Sequence, residues 1–94
     1  MSKVVDNPAQ KRFELPIDGS DGEIAAAYYR VEDGGLVLVH TEVPYQFSGE
    51  GLGSQLARGV FDEVRARGGK VILRCSFMGS FYARHPEYSD IVSG

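Results

Sequence analysis

The chain has 94 residues, a formal net charge of −3 and a hydrophobic fraction of 43%, which fits one globular domain. The weak negative charge argues against a protein that holds nucleic acid by broad neutralisation of phosphates. No apolar run reaches the roughly 18 residues of a membrane span, and a single cysteine excludes an internal disulfide and a cysteine-rich zinc site. We therefore expect one cytoplasmic domain over residues 1–94, with no metal, no nucleic acid and no membrane among its partners.

The first half of the chain predicts an antiparallel meander of short strands, because apolar and polar residues alternate. Turns at residues 19–22 and 32–35 contain glycine and separate these segments. The strands on either side of residues 32–35 are therefore expected to form a hairpin. The predicted strands are residues 4–5 (a weak candidate), 12–17, 23–31 and 36–43.

The second half predicts helices and a buried strand. Residues 52–67 repeat leucine or valine at every fourth position, which indicates an amphipathic helix, and Gly68-Gly69 supplies a left-handed stop. Pro86 is expected to end the helix that precedes it. The later segments are a buried strand at residues 71–75, a short helix at 78–84 and a candidate edge strand at 88–92. This order predicts an α+β fold, a mixed sheet with helices packed on it.

A glycine-rich loop joins residues 36–43 to the long helix. Residues 48–53 read SGEGLG, so glycines at every second position leave backbone N–H groups uncovered. Such donors at a helix N-terminus suit a phosphate. The loop has neither the Gly-Lys-Ser/Thr ending of a P-loop nor the G-x-G-x-x-G pattern. The alternative is a tight turn that binds no ligand.

This loop resembles the acetyl-CoA loop of the GNAT acetyltransferase superfamily, which reads Gln/Arg-x-x-Gly-x-Gly/Ala and opens a long helix. Two registers fit, one starting at Gln46 and one at Ser48. We favour the second, because it places Leu52 and Leu56 on the helix where the superfamily has them. Ser48 then stands where Gln or Arg is usual. This difference does not affect the backbone N–H groups of the loop.

Three further motifs are similar to those of a short, single-domain N-acetyltransferase-like branch of the superfamily. They are HTEVP at residues 40–44, Cys75, and RHPEY at residues 84–88. The similarity runs from about residue 13 to the end and implies a GNAT-like fold, with acetyl-CoA between splayed strands at residues 36–43 and 71–75. The positions expected to bind acetyl-CoA are Val43, Ser48, Gly49, Glu50, Gly51, Leu52, Gly53 and Ser54.

The resemblance implies transfer of an acetyl group from acetyl-CoA to an amine. Cys75 is a hypothetical acetyl acceptor, and Arg74 or His40 would lower the pKa of its thiol. The alternative is that Cys75 is a small buried hydrophobic residue. His40 and Glu42 share a strand face and are candidates for a base or proton relay; His40 alternatively braces the loop. Tyr82 occupies the position of the tyrosine that protonates the departing thiolate in many GNAT enzymes, or else belongs to the core.

The chain is shorter than most of the superfamily and lacks the helical segment that often walls the acceptor side. A non-catalytic coenzyme A-binding module or sensor is therefore the alternative function. The sequence does not identify the acceptor, a small molecule or a protein amine, or the oligomeric state. Lys70, Arg58 and Arg84 are candidates to offset the charge of Glu50 beside a pyrophosphate.

Overall fold

The computed structural model describes residues 3–94, which form a five-stranded sheet and two α-helices. The strands are β1 (Val5–Asn7), β2 (Arg12–Pro16), β3 (Ile24–Glu32), β4 (Gly35–Glu42) and β5 (Val71–Leu73). The helices are α1 (Leu52–Ala66) and α2 (Ser76–Arg84), and the 3-10 turns Tyr45–Phe47 and Pro86–Tyr88 follow β4 and α2. The predicted α+β architecture is confirmed.

The strands lie in the sheet in chain order. β1 to β4 pair antiparallel, as the predicted meander requires, and β5 pairs parallel to β4. A parallel pair needs a crossover connection, and α1 supplies it. The turn at residues 32–35 joins β3 to β4, so the predicted hairpin is also confirmed.

Both helices pack on one face of the sheet and share its hydrophobic core. The predicted stripe of α1 is buried at Leu56, Val60 and Val64, and these residues join Phe13 of β2 and Phe81 of α2 in a single cluster. Gly68 has a φ of +72°, so the predicted left-handed stop of α1 is confirmed.

The C-terminal part differs from the prediction in three places. β5 ends at Leu73, because Cys75 is already the N-cap of the second helix; the Arg74 N–H, which donates to the Leu38 carbonyl at 3.0 Å, is the last backbone donor to β4. The helix begins at Ser76 rather than at residue 78, with Cys75 as its N-cap. The tail runs parallel to β5 over residues 91–94 rather than 88–92, because residues 86–88 form a 3-10 turn. The Val71 N–H donates to the Ile91 carbonyl at 2.8 Å, and the Leu73 N–H donates to the Gly94 carbonyl at 2.7 Å.

The RHPEY motif fixes this turn to the helices. The His85 ring stacks on Phe81 with centroids 4.3 Å apart, and the Tyr88 hydroxyl donates to the Asp62 carboxylate at 2.7 Å. Burial, reinforced by that hydrogen bond, raises the pKa of Tyr88. His85 and Tyr88 therefore anchor the C-terminal turn to the helices. Neither helix of residues 3–94 has the length and apolar character that crossing a bilayer requires.

Candidate functional site

The site lies where β4 extends beyond the end of β5, its parallel neighbour. β5 pairs with β4 only from Leu36 to Leu38. The pairing of β3 with β4 shifts at the next residue, since Tyr29 lies opposite Leu38 and Tyr28 opposite His40, which makes Val39 a bulge. Within residues 3–94, no β5 residue pairs with the part of β4 beyond Leu38. The sheet is therefore open along this edge.

The glycine loop presents uncommitted amides beside this opening. Gly49 and Gly51 have φ values of +83° and +77°, conformations that favour glycine. The first backbone donor that α1 engages is Gln55, whose N–H reaches the Gly51 carbonyl at 3.1 Å. In the described part of the chain, the amides of residues 49–54 have no hydrogen-bond acceptor. They lie at the positive end of the α1 dipole and suit an anion.

A groove of about 380 Å³ runs from the end of β4 to this loop. It is lined by Thr41, Val43, Phe47, Ser48, Gly49, Gly51, Leu52, Gly53, Ser54 and Phe77. Every position expected to bind acetyl-CoA lines the groove except Glu50. Glu50 is exposed and lines a different cavity together with Arg58, so its carboxylate is not part of the groove wall.

Phe77 is a groove residue that the sequence did not reveal. A methyl group at Gly53 would lie 2.5 Å from Cζ of Phe77, so the ring packs directly against the loop backbone. Phe77 keeps 38% of its surface exposed, which is unusual for a phenylalanine in a small domain. The sequence shows Phe77 only as a large apolar residue two positions after Cys75. Because the helix was predicted to begin at residue 78, Phe77 was expected to lie outside it.

Cys75 lies at the edge of the opening, half-buried at the N-cap of α2. Its Sγ lies 3.3 Å from Oγ1 of Thr41, a groove residue. The Arg74 guanidinium contacts the Leu73 carbonyl at 3.5 Å. His40 directly precedes Thr41 in β4. Successive side chains of a strand project from opposite faces, so His40 projects from the other face of β4. The structure therefore brings Cys75 to Thr41 and separates it from His40.

His40 and Glu42 meet on the face of the sheet that carries no helix. Nε2 of His40 lies 2.9 Å from a carboxylate oxygen of Glu42, and both side chains are 59% exposed. The imidazole also stacks on Tyr28, with centroids 5.9 Å apart. A carboxylate and an aromatic ring thus orient the imidazole from two directions, which suits a base that must reach a ligand.

Tyr82 shares one side of α2 with Cys75. The intervals from Cys75 to Gly79 and from Gly79 to Tyr82 are four and three residues, so helical geometry aligns them. The space where Gly79 would carry a side chain is open. Tyr82 is half-buried against the core. No large side chain therefore lies at position 79, between Cys75 and Tyr82 on this side of the helix.

The cations proposed to offset Glu50 lie at different distances from the loop. Lys70 follows the C-terminal end of α1, about 20 Å along the helix axis from the loop, and its Nζ contacts the Asp90 carbonyl at 2.5 Å. The Arg58 guanidinium lies 5.8 Å from the centre of the Phe81 ring. Arg84 has no ion pair within residues 3–94. Arg58, which lines a cavity together with Glu50, is the best placed of the three.

Comparison with known proteins agrees with this geometry. The sequence profile of a family described as GCN5-related N-acetyl-transferase matches residues 12–91. The fold is similar to the NMR solution structure of a GCN5-like candidate N-acetyltransferase from Staphylococcus aureus, with 26% identity and a TM-score of 0.69. That match covers 100% of this chain and 92% of the other. Residues 3–94 contain no group of three or more His, Cys, Asp or Glu residues able to hold a metal ion.

Proposed function

Because this chain belongs to the GCN5-related N-acetyltransferase family, we propose that it binds acetyl-CoA and transfers the acetyl group to an amine. The observation that carries the proposal is the run of uncommitted amides at residues 49–54. A diphosphate is the part of acetyl-CoA that such donors suit, since each phosphate oxygen accepts hydrogen bonds and the helix dipole favours its charge. Gly49 and Gly51 have open space around their α-carbons, which admits the anion.

The exposed edge of β4 suits the arm that links the diphosphate to the thioester. This arm contains amide groups, and residues 39–43 have no β5 partner among the described residues. An amide-bearing chain can hydrogen-bond to such an edge as an added strand does. Thr41 and Val43 line the groove at this level, so the thioester would lie close to Thr41 and Cys75.

The transfer step follows from the two faces of β4. His40 accepts a proton from the ammonium of the acceptor, with Glu42 holding the imidazole at 2.9 Å. The amine nitrogen then forms a bond to the carbonyl carbon as the carbon–sulfur bond breaks. Strand and loop N–H groups stabilise the oxyanion, and the Tyr82 hydroxyl is the proposed proton donor to the departing thiolate. The nitrogen of the adduct loses its second proton to solvent, and solvent returns a proton to Tyr82. The products are an N-acetyl amine and free coenzyme A.

Cys75 offers a second route, in which its thiolate first takes the acetyl group and then passes it to the amine. Among residues 3–94, the one side chain at hydrogen-bond distance from Sγ is Thr41, whose hydroxyl is not a base. We therefore favour direct attack by the amine, and predict that Cys75→Ser keeps acetyl transfer within about threefold of wild type. Thiol release with amine present measures this. An acetylated Cys75, detected by mass spectrometry without amine and consumed when amine is added, would contradict it.

Gly51→Ala should weaken acetyl-CoA binding about tenfold, or about 1.4 kcal/mol. A side chain in the left-handed region costs about 1–2 kcal/mol, and relaxation of that strain would turn the loop amides away from the diphosphate. Gly22→Ala is the matched control, since Gly22 has a φ of +89° and open surroundings but lies in the turn before β3. Both variants should lose similar thermal stability, and calorimetric titration should show weaker binding for Gly51→Ala alone. Equal affinity in both variants would count against the loop as the binding site.

The proposed activity is tested by titrating wild-type protein with acetyl-CoA and by measuring free-thiol release over a panel of amines. Binding with amine-dependent release supports the transferase. Binding without release for every amine would favour the coenzyme A-binding module instead. If the protein failed to bind acetyl-CoA, both functions would be wrong.

A further inference from the structure

The open face of the sheet, opposite the helices, holds a second cavity of about 590 Å³. Phe13 and Ala27 pack in the core under the helices, so their chain neighbours project to the other face. Ala26 lines this cavity and contributes only a methyl group, which leaves space above the sheet at that position. We call this cavity the open-face basin. Its charged and aromatic lining residues are Arg12, Glu23, Tyr28, His40 and Glu42.

The open-face basin and the loop groove meet across a single strand. Thr41 and Val43 line both cavities. At this level β4 has no β5 partner among the described residues, so only the free edge of β4 separates the two spaces. A nitrogen beside His40 in the basin is therefore across this edge from a thioester beside Thr41.

The basin carries uncompensated negative charge. The Arg12 guanidinium donates to Glu14 at 2.7 Å and to the Tyr28 hydroxyl at 3.1 Å, and hydrogen bonds from Asn7 and Arg12 lower the pKa of Glu14. The charge of Arg12 is thus already paired. Glu23 contacts the neutral amide of Gln46 at 3.5 Å. Within residues 3–94, no lysine, arginine or histidine lies at ion-pair distance from Glu23.

The two carboxylates of the basin are separated along the strands. Ala26 lies opposite Glu42 in the β3–β4 pairing. Glu23 precedes Ala26 by three positions, and it precedes Tyr28, which lies opposite His40, by five. The level of His40 is therefore about 16 Å of extended chain from Glu23. One end of the basin therefore holds the His40–Glu42 pair, and the other end holds a free carboxylate.

We propose that the open-face basin binds the acceptor, and that the acceptor is a linear amine with a second positive charge about 16 Å from the reacting nitrogen. This inference rests on the proposed acetyl transfer and names its substrate class. His40 receives the reacting nitrogen, and Glu23 pairs with the distant ammonium. The methyl of Ala26 contacts the methylene chain between the two charges, and Tyr28 lies at the reacting end, opposite His40.

The test compares two probes that differ by one charge, 1,12-diaminododecane and 12-amino-1-dodecanol, in the thiol-release assay with acetyl-CoA. An ion pair at a partly exposed site is worth up to about 1 kcal/mol, so wild-type kcat/KM should be about fivefold higher for the diamine. Glu23→Gln should reduce that ratio to near one by lowering the diamine value alone. Glu32→Gln is the matched control, since Glu32 lies at the far end of β3, outside the basin, and pairs with Arg30. Its ratio should match wild type.

The outcomes separate this inference from the proposed function. Amine-dependent thiol release with equal kcat/KM for both probes, or a ratio that Glu23→Gln leaves unchanged, would overturn the inference and leave acetyl transfer standing. If neither probe released thiol, calorimetric titration of 1,12-diaminododecane into the acetyl-CoA complex decides: about fivefold weaker binding to Glu23→Gln supports the basin, and equal binding overturns it. A protein lysine as the acceptor would appear as rapid acetylation of a peptide with neither probe acetylated, which also overturns it.

Discussion

Replacing His40 with glutamine is expected to lower kcat for amine acetylation by about 100-fold, because positioned proton acceptors contribute about 10²–10⁴ in rate. The imidazole lies 2.9 Å from Glu42 and stacks on Tyr28, so its orientation is fixed before a substrate arrives. Glutamine keeps hydrogen-bonding capacity at that position but cannot take the proton from an ammonium ion. Affinity for acetyl-CoA should be unchanged, since His40 does not line the loop groove.

The chain contains its own control for this experiment. His85 also pairs with a glutamate two positions later, at 3.1 Å from Glu87, and also stacks on an aromatic ring. It belongs to the C-terminal anchor and lines neither the loop groove nor the open-face basin. His85→Gln should therefore lose some stability and keep its turnover. Steady-state kinetics with thermal unfolding measures both effects. Equal losses of kcat in the two variants would show that His40 acts on stability alone.

The sequence predicts those parts of the fold and of the groove that depend on local interactions. The alternation of residues 12–17 and the turn at residues 32–35 specify the meander without reference to distant contacts. The spacing of Gly49, Gly51 and Gly53 placed the groove, because their backbone angles and close contacts depend on glycine itself. For the same reason, seven of the eight expected binding positions line it, namely all but Glu50.

Relations that arise from tertiary structure were not accessible in this way. The contact of Cys75 with Thr41 depends on β5 ending early, and on the bulge at Val39, which sets the faces of the following residues. A one-residue shift exchanges the faces of a strand, so the sequence could not show that His40 points away from Cys75. The position of Phe77 depends on the packing of α2 over the loop, which no local pattern encodes.

Phe61→Ala should destabilise the fold by about 3–5 kcal/mol, the usual cost of removing a buried aromatic ring. Phe61 is fully buried, and its ring packs edge-on against Phe81 at 5.5 Å and Tyr88 at 5.1 Å. A domain of this size has only about 5–15 kcal/mol of stability in total. The same contacts join α1, whose N-terminus carries the loop, to α2, which carries Cys75 and Phe77. Losing them should therefore also widen the groove.

Tyr45→Ala is the matched control, because Tyr45 is 90% exposed and its truncation should change stability by less than about 0.5 kcal/mol. Urea unfolding of both variants, with a constant m-value, measures the difference. Saturating acetyl-CoA stabilises any folded chain that binds it. A smaller shift in the unfolding midpoint for Phe61→Ala than for Tyr45→Ala would then report the loosened groove. A loss below about 1 kcal/mol at unchanged m would mean that the aromatic cluster does not hold the two helices together.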